Sequence, residues 1–569
     1  MKNQEIVRIL NNIADILELQ EVKFKPQAYR RAALSIEELS EDVGEVYKRG
    51  ELGELPGVGE SIMEKIEEII KTGKLKYYEQ LKNEINIDVE GLNEVYGLGP
   101  KKIKILYKQL GVKNLKDLER VLSTHKVKDL DGFGEKTEEL LWKGLQFAKG
   151  NHKRFLYYHA QPIVEKLLSE LRELNFVSKA EIAGSFRRGK ETVGDLDILV
   201  VSNEASKVMD KFVIFSEVKE VIAKGVSKSS VRLENGLQVD LRVVKDTEFG
   251  SALLYFIGNK EHNVELRKLA LSKGYTLNEY GLFTLKDKKW IAGRTEEEIY
   301  KKLGLQFMPP EIRENHGEIK ESLSKRIPEL VNIKDFKGAF HNHTKWSDGG
   351  NTLLEMVISA EDLGWKFISF SDHFGSIGVT NPLNERRLQW YLKEIEKVRK
   401  KVGIRVFSGI EIDIAKDGKL PLAKAKLKEL DAVIASVHTV MKMPEKLMTV
   451  RVCTALQQEG VNILGHPTGR LLNEREPISI NLSKVFEVAK QREVLLEINS
   501  SGKRLDLNGE QIKFAKDLGC KFVSSTDAHN VQGLKHYDLG IMMARRGWLE
   551  KKDLVNCWEI KKMERILQR

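Results

Sequence analysis

The chain has 569 residues, too many for one hydrophobic core at roughly 150 residues per domain, so several units share it. Lysine and arginine number 94 against 84 aspartate and glutamate, and the resulting net charge of +10 suits a polyanionic partner better than a basic one. Three cysteines without CxxC spacing argue against a disulfide framework or a zinc ribbon; with no apolar run near the ~18 residues of a membrane span and no cleavage signal at the start, a soluble, unexported, cytoplasmic protein is expected.

Residues 1–150 read as helices. Ile6, Leu10, Ile13, Ile16 and Leu17 recur at helical spacing, and so do Ile62, Ile66, Ile69 and Ile70. A weak repeat punctuates them: LPGVGES at 55–61, YGLGPKK at 96–102 and LDGFGEKT at 130–137. Each is a Gly-x-Gly turn (Gly57 and Gly59, Gly97 and Gly99, Gly132 and Gly134) followed by a helix. Such a turn exposes backbone N–H groups to a phosphate without reading any base, and Lys101, Lys102 and Lys104 beside the second copy favour a DNA backbone.

From about 178 to 245 the pattern changes to short β-rich runs with helices between them, the mark of a mixed α/β unit. Within it stands GSFRRGKETVGDLDILV, 184–200. Asp195 and Asp197 sit at i and i+2 on a strand and so share a face, where their repulsion calls for a cation. Asp240 interrupts the apolar run QVDLRVV, and burying it requires a partner or a metal. Three carboxylates around two Mg²⁺ ions suit phosphoryl transfer, with Gly184-Ser185 offering a close-approach turn and Arg187 and Arg188 charge for a triphosphate.

A segment with MPP and a charged helical stretch, 307–335, reads as a linker. Beyond it, apolar runs alternate with amphipathic helices to about Val555, a parallel βα architecture. Six of the 12 histidines fall just after apolar strands: His341 and His343, His373, His438, His466 and His529. Glu411 and Asp527 occupy the same kind of place, and Asp348 follows in a loop. Strand C-termini meet in βα barrels, so these donors should converge. Nine nitrogen and oxygen donors exceed one ion's needs and point to two or three, Mn²⁺ or Zn²⁺, able to activate water against a phosphodiester.

These residues carry a resemblance. Gly184-Ser185, Arg188, Gly194-Asp195-Leu196-Asp197 and Asp240 look like the nucleotidyltransferase palm of the family X DNA polymerases, and Tyr255-Phe256-Ile257-Gly258 resembles that family's thumb motif. The resemblance implies that Asp195, Asp197 and Asp240 bind two Mg²⁺ or Mn²⁺ ions and that Gly184, Ser185, Arg188, Gly194, Tyr255, Phe256, Gly258, Asn263 and Arg267 contact the nucleotide and template. Asn259 and Lys260 depart from the family's usual serine and aspartate. The segment 23–36 with 55–66 is similar to the family's small DNA-binding domain, which implies 5′-phosphate or lyase roles for Lys25, Tyr29, Arg30 and Lys65; Phe24 and Ser61 depart from that pocket. The HxH, SDH, GIE, SVH, GHP and DAH stretches, in order over 335–569, resemble the polymerase and histidinol phosphatase (PHP) domain, a distorted seven-stranded βα barrel with a trinuclear site.

The whole chain therefore resembles bacterial and archaeal family X polymerases with a C-terminal PHP barrel. The implied fold is multidomain: a helical DNA-binding domain at 1–85, helix-hairpin-helix fingers at 86–150, a palm at 151–246, a thumb at 247–315, a linker at 316–334 and a (β/α)7 barrel at 335–569. The implied activity is gap filling in base-excision repair, on gapped or nicked duplex DNA with dNTPs, by a monomer whose barrel trims 3′ ends as a 3′-5′ exonuclease or phosphodiesterase and cleaves abasic sites. Two rivals remain on sequence grounds: a small-molecule phosphoesterase tethered to DNA, and a non-catalytic scaffold for DNA ends.

Overall fold

The computed structural model describes residues 3–37, 39, 42–55, 57–85, 87–93, 95, 98–135, 137–138, 141–142, 145, 154–375 and 380–568. The chain divides into two compact units, 1–153 and 154–569. Among the described residues no helix is long and apolar enough to cross a membrane.

The first unit is helical throughout its described elements. The spacing noted above becomes the buried faces of two clusters: Ile6, Leu10, Ile13, Ile66 and Ile69 meet in one, and Leu92, Ile103, Leu106 and Leu118 in the other. Gly59 and Gly99 cap the N-termini of helices Glu60–Thr72 and Pro100–Leu110. Gly57 is at φ +81°, and a Cβ there would lie 2.8 Å from that of Arg31, so both the turn and the packing demand glycine. Gly97 lies outside the described residues.

The second unit opens with a five-stranded sheet of β1 (Lys179–Ile182), β2 (Asp195–Val201), β3 (Val218–Lys224), β4 (Lys228–Leu233) and β5 (Gln238–Val244), in the order β1-β2-β5-β4-β3. Only β2 and β5 run parallel, which sets Asp197 opposite Asp240. Helices Phe249–Ile257 and Lys260–Ser272 follow, then a three-stranded antiparallel sheet of β6 (Tyr275–Asn278), β7 (Gly281–Thr284) and β8 (Trp290–Ala292). The segment 316–334 is packed rather than loose: Ile327 and Leu330 join the core around Leu303 and Trp548, and Val331 enters the barrel core.

The barrel strands are β9 (Gly338–Asn342), β10 (Phe367–Ser369), β11 (Asp372–Phe374), β12 (Arg405–Phe407), β13 (Gly409–Asp413), β14 (Ala432–Ser436), β15 (Ile463–Leu464), β16 (Leu495–Asn499) and β17 (Phe522–Ala528), every pair parallel. The pairs β10/β11 and β12/β13 are single runs broken by a bend, so the nine segments make seven runs, and the pairing order β11-β13-β14-β15-β16-β17-β9-β10-β12 brings the sheet back on itself. All seven runs contribute to a shared apolar floor: Phe340, Phe367, Phe407, Ala432 and Ile434, Ile463, Leu495 and Val523. Met563 and Leu567 of the C-terminal helix Ile560–Leu567 close this floor from below.

Phe340 is fully buried among Phe367 and Phe407, at ring distances of 5.1 and 6.1 Å. Phe340→Ala is expected to destabilise the barrel by about 3–5 kcal/mol, read as a lower urea midpoint of its unfolding transition.

Candidate metal centres

The palm centre follows from strand periodicity. Asp195 and Asp197 share one face of β2, and the parallel register with β5 adds Asp240. Burial, and then the neighbouring Asp195 and Asp240, push the Asp197 carboxyl up to about 7; burial and Asp240 raise Asp195 as well. The three carboxylates crowd one another; Gln238 at 3.0 Å and Lys228 at 3.6 Å meet Asp240, while Arg154 acts on Asp195, and Arg242 and Lys228 on Asp197, by charge. That donor set fits divalent ions, which relieve the repulsion. Gly184, at φ +63°, runs so close that a Cβ would meet Asp197 Oδ2 at 2.5 Å, so the turn bearing Ser185 lies against the carboxylates.

Arg188, at the end of that turn, points its Nε at Glu314 Oε1, 3.0 Å away, and also donates to the Ile257 carbonyl. Lys190 reaches the other oxygen of Glu314 at 2.9 Å. Burial would raise the Glu314 carboxyl, but Arg546, Lys190 and Arg188 outweigh it and hold it below the usual range. Gly194 lies beside the Arg154 guanidinium. Tyr255 is partly exposed, Phe256 carries Arg242 over its ring at 4.6 Å, and Gly258, at φ +71°, ends their helix. Asn263 donates to the Tyr255 carbonyl at 2.7 Å, and Arg267 to the Asn263 carbonyl at 3.3 Å, so these residues form one chain of contacts.

The barrel centre gathers all nine donors above the apolar floor. Glu411 is its hub: Oε1 lies 3.0 Å from His466 Nε2 and 3.1 Å from His438 Nε2, while Oε2 lies 3.2 Å from His341, 3.6 Å from His343 and 3.1 Å from His373. Asp527 Oδ1 stands 3.4 Å from His343 and 3.7 Å from His341; Asp348 Oδ2 stands 3.5 Å from His529 and 3.6 Å from His373. Three groups have metal-ligand spacing: His343, Asp348, His373 and His529; His341, His343 and Asp527; His373, Glu411 and His438. Buried Nε2 of His341, both ring nitrogens of His343 and Nδ1 of His373 lack a hydrogen bond, a costly state that an ion removes. Burial, with His529 and His373 beside it, drives His343 down to about 3. His341, His466 and Asp527 are all held at positive φ, +59°, +21° and +51°, backbone strain of the kind that collects at working sites.

The remaining sequence candidates lie in the first unit. Lys65 donates to the Ser61 carbonyl and hydroxyl, both at 3.0 Å, and sits 5.0 Å above the Tyr77 ring. Tyr29 is buried, and burial, then Tyr77, raise its hydroxyl to about 12. Arg30 is tied to Asp15 at 2.8 Å and Glu18 at 2.6 Å, whereas Lys25 is exposed. Lys101 is exposed, Lys102 lies over Phe133 at 5.8 Å, Gly132 and Gly134 are at φ +81° and +72°, and Lys104 pairs with Glu21.

Several supporting residues escaped the sequence reading. Glu497, fully buried, accepts from His341 Nδ1 at 2.6 Å and from the His466 backbone, fixing the tautomer that leaves Nε2 of His341 free for a metal. Asp413 accepts from the His438 backbone at 2.8 Å. Asp372 takes the backbone N–H groups of Thr344 and Ser347 at 2.8 and 3.0 Å and so builds the turn that presents Asp348. Glu497 interrupts the apolar run LLEIN much as Asp240 interrupts QVDLRVV, so the same signal could have found it.

Comparisons agree with this geometry. Family models match a helix-hairpin-helix domain at residues 1–75, a SAM-like helix-hairpin-helix tandem at 89–146, the DNA polymerase beta palm at 159–249, the DNA polymerase beta thumb at 252–314 and a PHP domain at 339–501. The chain is 35% identical over 573 residues to the DNA polymerase/3′-5′ exonuclease PolX of Bacillus subtilis (strain 168), covering 100% of both. DNA polymerase lambda of Rattus norvegicus is 25% identical over 55% of this chain and 56% of its own length. A protein named as a probable phosphatase, from Thermoanaerobacter sp. (strain X514), is 26% identical over 40% of this chain and 93% of its own. The PHP match ends before Asp527 and His529, which the geometry nonetheless brings to the centre.

Asp197 must lose its proton to ligate, and with its carboxyl near 7 the ion affinity of the palm falls as pH drops. Calorimetric Mg²⁺ affinity, taken as the difference between the parent chain and Asp195→Ala/Asp197→Ala, should weaken up to about tenfold per pH unit below about 7 and level off above it. Glu497→Gln should lower barrel metal affinity by about 10–100-fold, read by elemental analysis after dialysis against a chelator.

Proposed function

The chain belongs to the PolX group of family X DNA polymerases, and from that premise we propose that it fills short gaps in duplex DNA by templated nucleotidyl transfer and trims 3′ ends with its barrel as a 3′-5′ exonuclease. The observation that carries this reading is the presence, in one chain, of two separate donor clusters of different chemistry: carboxylates alone in the palm, and imidazoles with carboxylates in the barrel.

In the palm, Asp195, Asp197 and Asp240 hold two Mg²⁺ or Mn²⁺ ions, which when bound activate the primer 3′-hydroxyl and stabilise the leaving pyrophosphate. Ser185 and Arg188 receive the triphosphate, and Gly184 lets the backbone approach it. Gly194 lets the strand enter beside Arg154, while Tyr255, Phe256, Gly258, Asn263 and Arg267 shape the nucleotide and template side. In the barrel, His341, His343, Asp348, His373, Glu411, His438, His466, Asp527 and His529 hold two or three Mn²⁺ or Zn²⁺ ions, with Glu411 at their centre. The Gly-x-Gly turns and Lys101 and Lys102 grip the DNA backbone, Lys25, Tyr29, Arg30 and Lys65 form the 5′-phosphate side, and the chain works as a cytoplasmic monomer.

Gapped DNA with dNTPs and Mg²⁺ or Mn²⁺ tests the division of labour. Asp195→Ala with Asp197→Ala should abolish primer extension, a loss of at least about 10³-fold, and spare 3′ trimming; His341→Ala should do the reverse. Both activities surviving in both variants would refute the assignment.

A further inference from the structure

The helix Tyr537–Arg546 belongs to the barrel by sequence and packing, yet one of its ends lies on the palm's triphosphate turn. Arg546 Nη1 donates to the Arg188 carbonyl at 2.6 Å and stands 3.4 Å from Glu314 Oε1, the oxygen that Arg188 Nε contacts. The Arg546 side chain is 4% exposed and Glu314 9%. Gly189, the next residue of the turn, is at φ +66°, and a Cβ there would strike Met542 at 2.6 Å, so the turn's backbone rests directly on this helix. On the barrel side Arg546 is equally confined: a Cβ at Gly509 would meet its own Cβ at 2.7 Å. The neighbouring contacts lead the same way, with Asp538 accepting from Gln161 at 3.1 Å and Arg545 donating to Glu311 at 2.7 Å.

We propose that Arg546 of the hydrolytic barrel is a positioning residue for nucleotidyl transfer: it fixes the Arg188 end of the triphosphate turn and, through Glu314, the direction of the Arg188 guanidinium. The physical reason is that the turn's own hydrogen bonds, Gly189 N–H to the Phe186 carbonyl at 2.9 Å and Lys190 N–H to the Ser185 carbonyl at 3.0 Å, leave the Arg188 carbonyl to a donor outside the turn. Arg188 ends a helical turn of four residues, its carbonyl accepts from the barrel's Arg546, and its guanidinium is held by the Ile257 carbonyl and by a carboxylate that also serves Lys190 and Arg546. Removing the Arg546 charge leaves Glu314 with two cations instead of three and the part-buried Arg188 carbonyl without that donor. The polymerase then loses part of its ground-state hold on the triphosphate, although none of its own residues has changed. This inference rests on the reading that Ser185 and Arg188 receive the triphosphate.

Full-length Arg546→Gln, Arg546→Lys and Arg188→Ala are compared with the parent in single-nucleotide gap filling, with 3′ trimming of single-stranded DNA as the check on the barrel. Arg546→Gln should raise KM for dNTP about tenfold, the effect of one charge-assisted hydrogen bond, with kcat within about threefold and trimming unchanged. Arg546→Lys keeps charge and stem, so it should give an intermediate rise of about threefold; it decides the matter if the glutamine variant loses trimming as well. An unchanged KM in a trimming-competent Arg546 variant, alongside a raised KM in Arg188→Ala, overturns the role of Arg546 and leaves the nucleotide reading intact. An unchanged KM in Arg188→Ala overturns the nucleotide reading itself, and this inference with it.

Discussion

A carboxylate that is 1% exposed and faces five imidazoles is the constraint around which the barrel is built. Glu411 cannot be solvated by water, so its charge must be met by protonated histidines or by metal ions. Protonating several imidazoles whose rings lie 4.5–5.9 Å apart sets like charges against each other, which a multivalent ion held by neutral imidazoles avoids. The palm poses the complementary problem, since three carboxylates share one strand-pair face and burial already pushes one of them to about 7. Both centres are thus unfavourable arrangements of side chains until cations enter, and the fold invests its rigidity in keeping them so.

That rigidity comes from different sources. In the palm it is the single parallel pairing in an otherwise antiparallel sheet, which sets Asp197 beside Asp240, while Leu196, Ile198, Val239 and Leu241 pack in the core around them. In the barrel it is the ring of apolar side chains beneath the donors, Phe340, Phe407, Ile434 and Ile463 among them, a floor that excludes water from the side of the centre away from solvent. The two are not independent bodies. The palm turn carrying Arg188 lies on a helix of the barrel, with Glu314 as a shared counter-charge.

Much of this was legible in the sequence because each donor set obeys a local rule. The Asp195/Asp197 pair follows strand period, and the barrel histidines follow the ends of apolar runs. Asp240 and Glu497 carried one signal, an acid inside an apolar strand, but only Asp240 had a neighbouring motif to draw attention to it. Asp372 and Asp413 are invisible to pattern because their role is to accept from backbone N–H groups of other segments. The Arg188–Glu314–Arg546 cluster is less legible still: its members lie 126, 232 and 358 positions apart, and ion pairs at such separations leave no periodicity. The charged composition of 316–334 suggested a linker, yet three apolar residues near its end, Ile327, Leu330 and Val331, suffice to bind it to two cores.

Left-handed backbone at His341, His466 and Asp527 shows where the barrel departs from a regular one. His341 and His343, like Asp527 and His529, are two residues apart, so extended geometry alone would send each pair to one face. The turned backbone at His341 and Asp527 changes the angle at which each pair enters the centre. Such conformations cost about 1–3 kcal/mol each in non-glycine residues, and at His341 and His466 they are fixed twice, by the strand pairing below and by Glu497, which accepts from the His341 ring and the His466 backbone. Glu497 is therefore as much a part of the centre as its ligands: it holds the two histidines that meet opposite oxygens of Glu411.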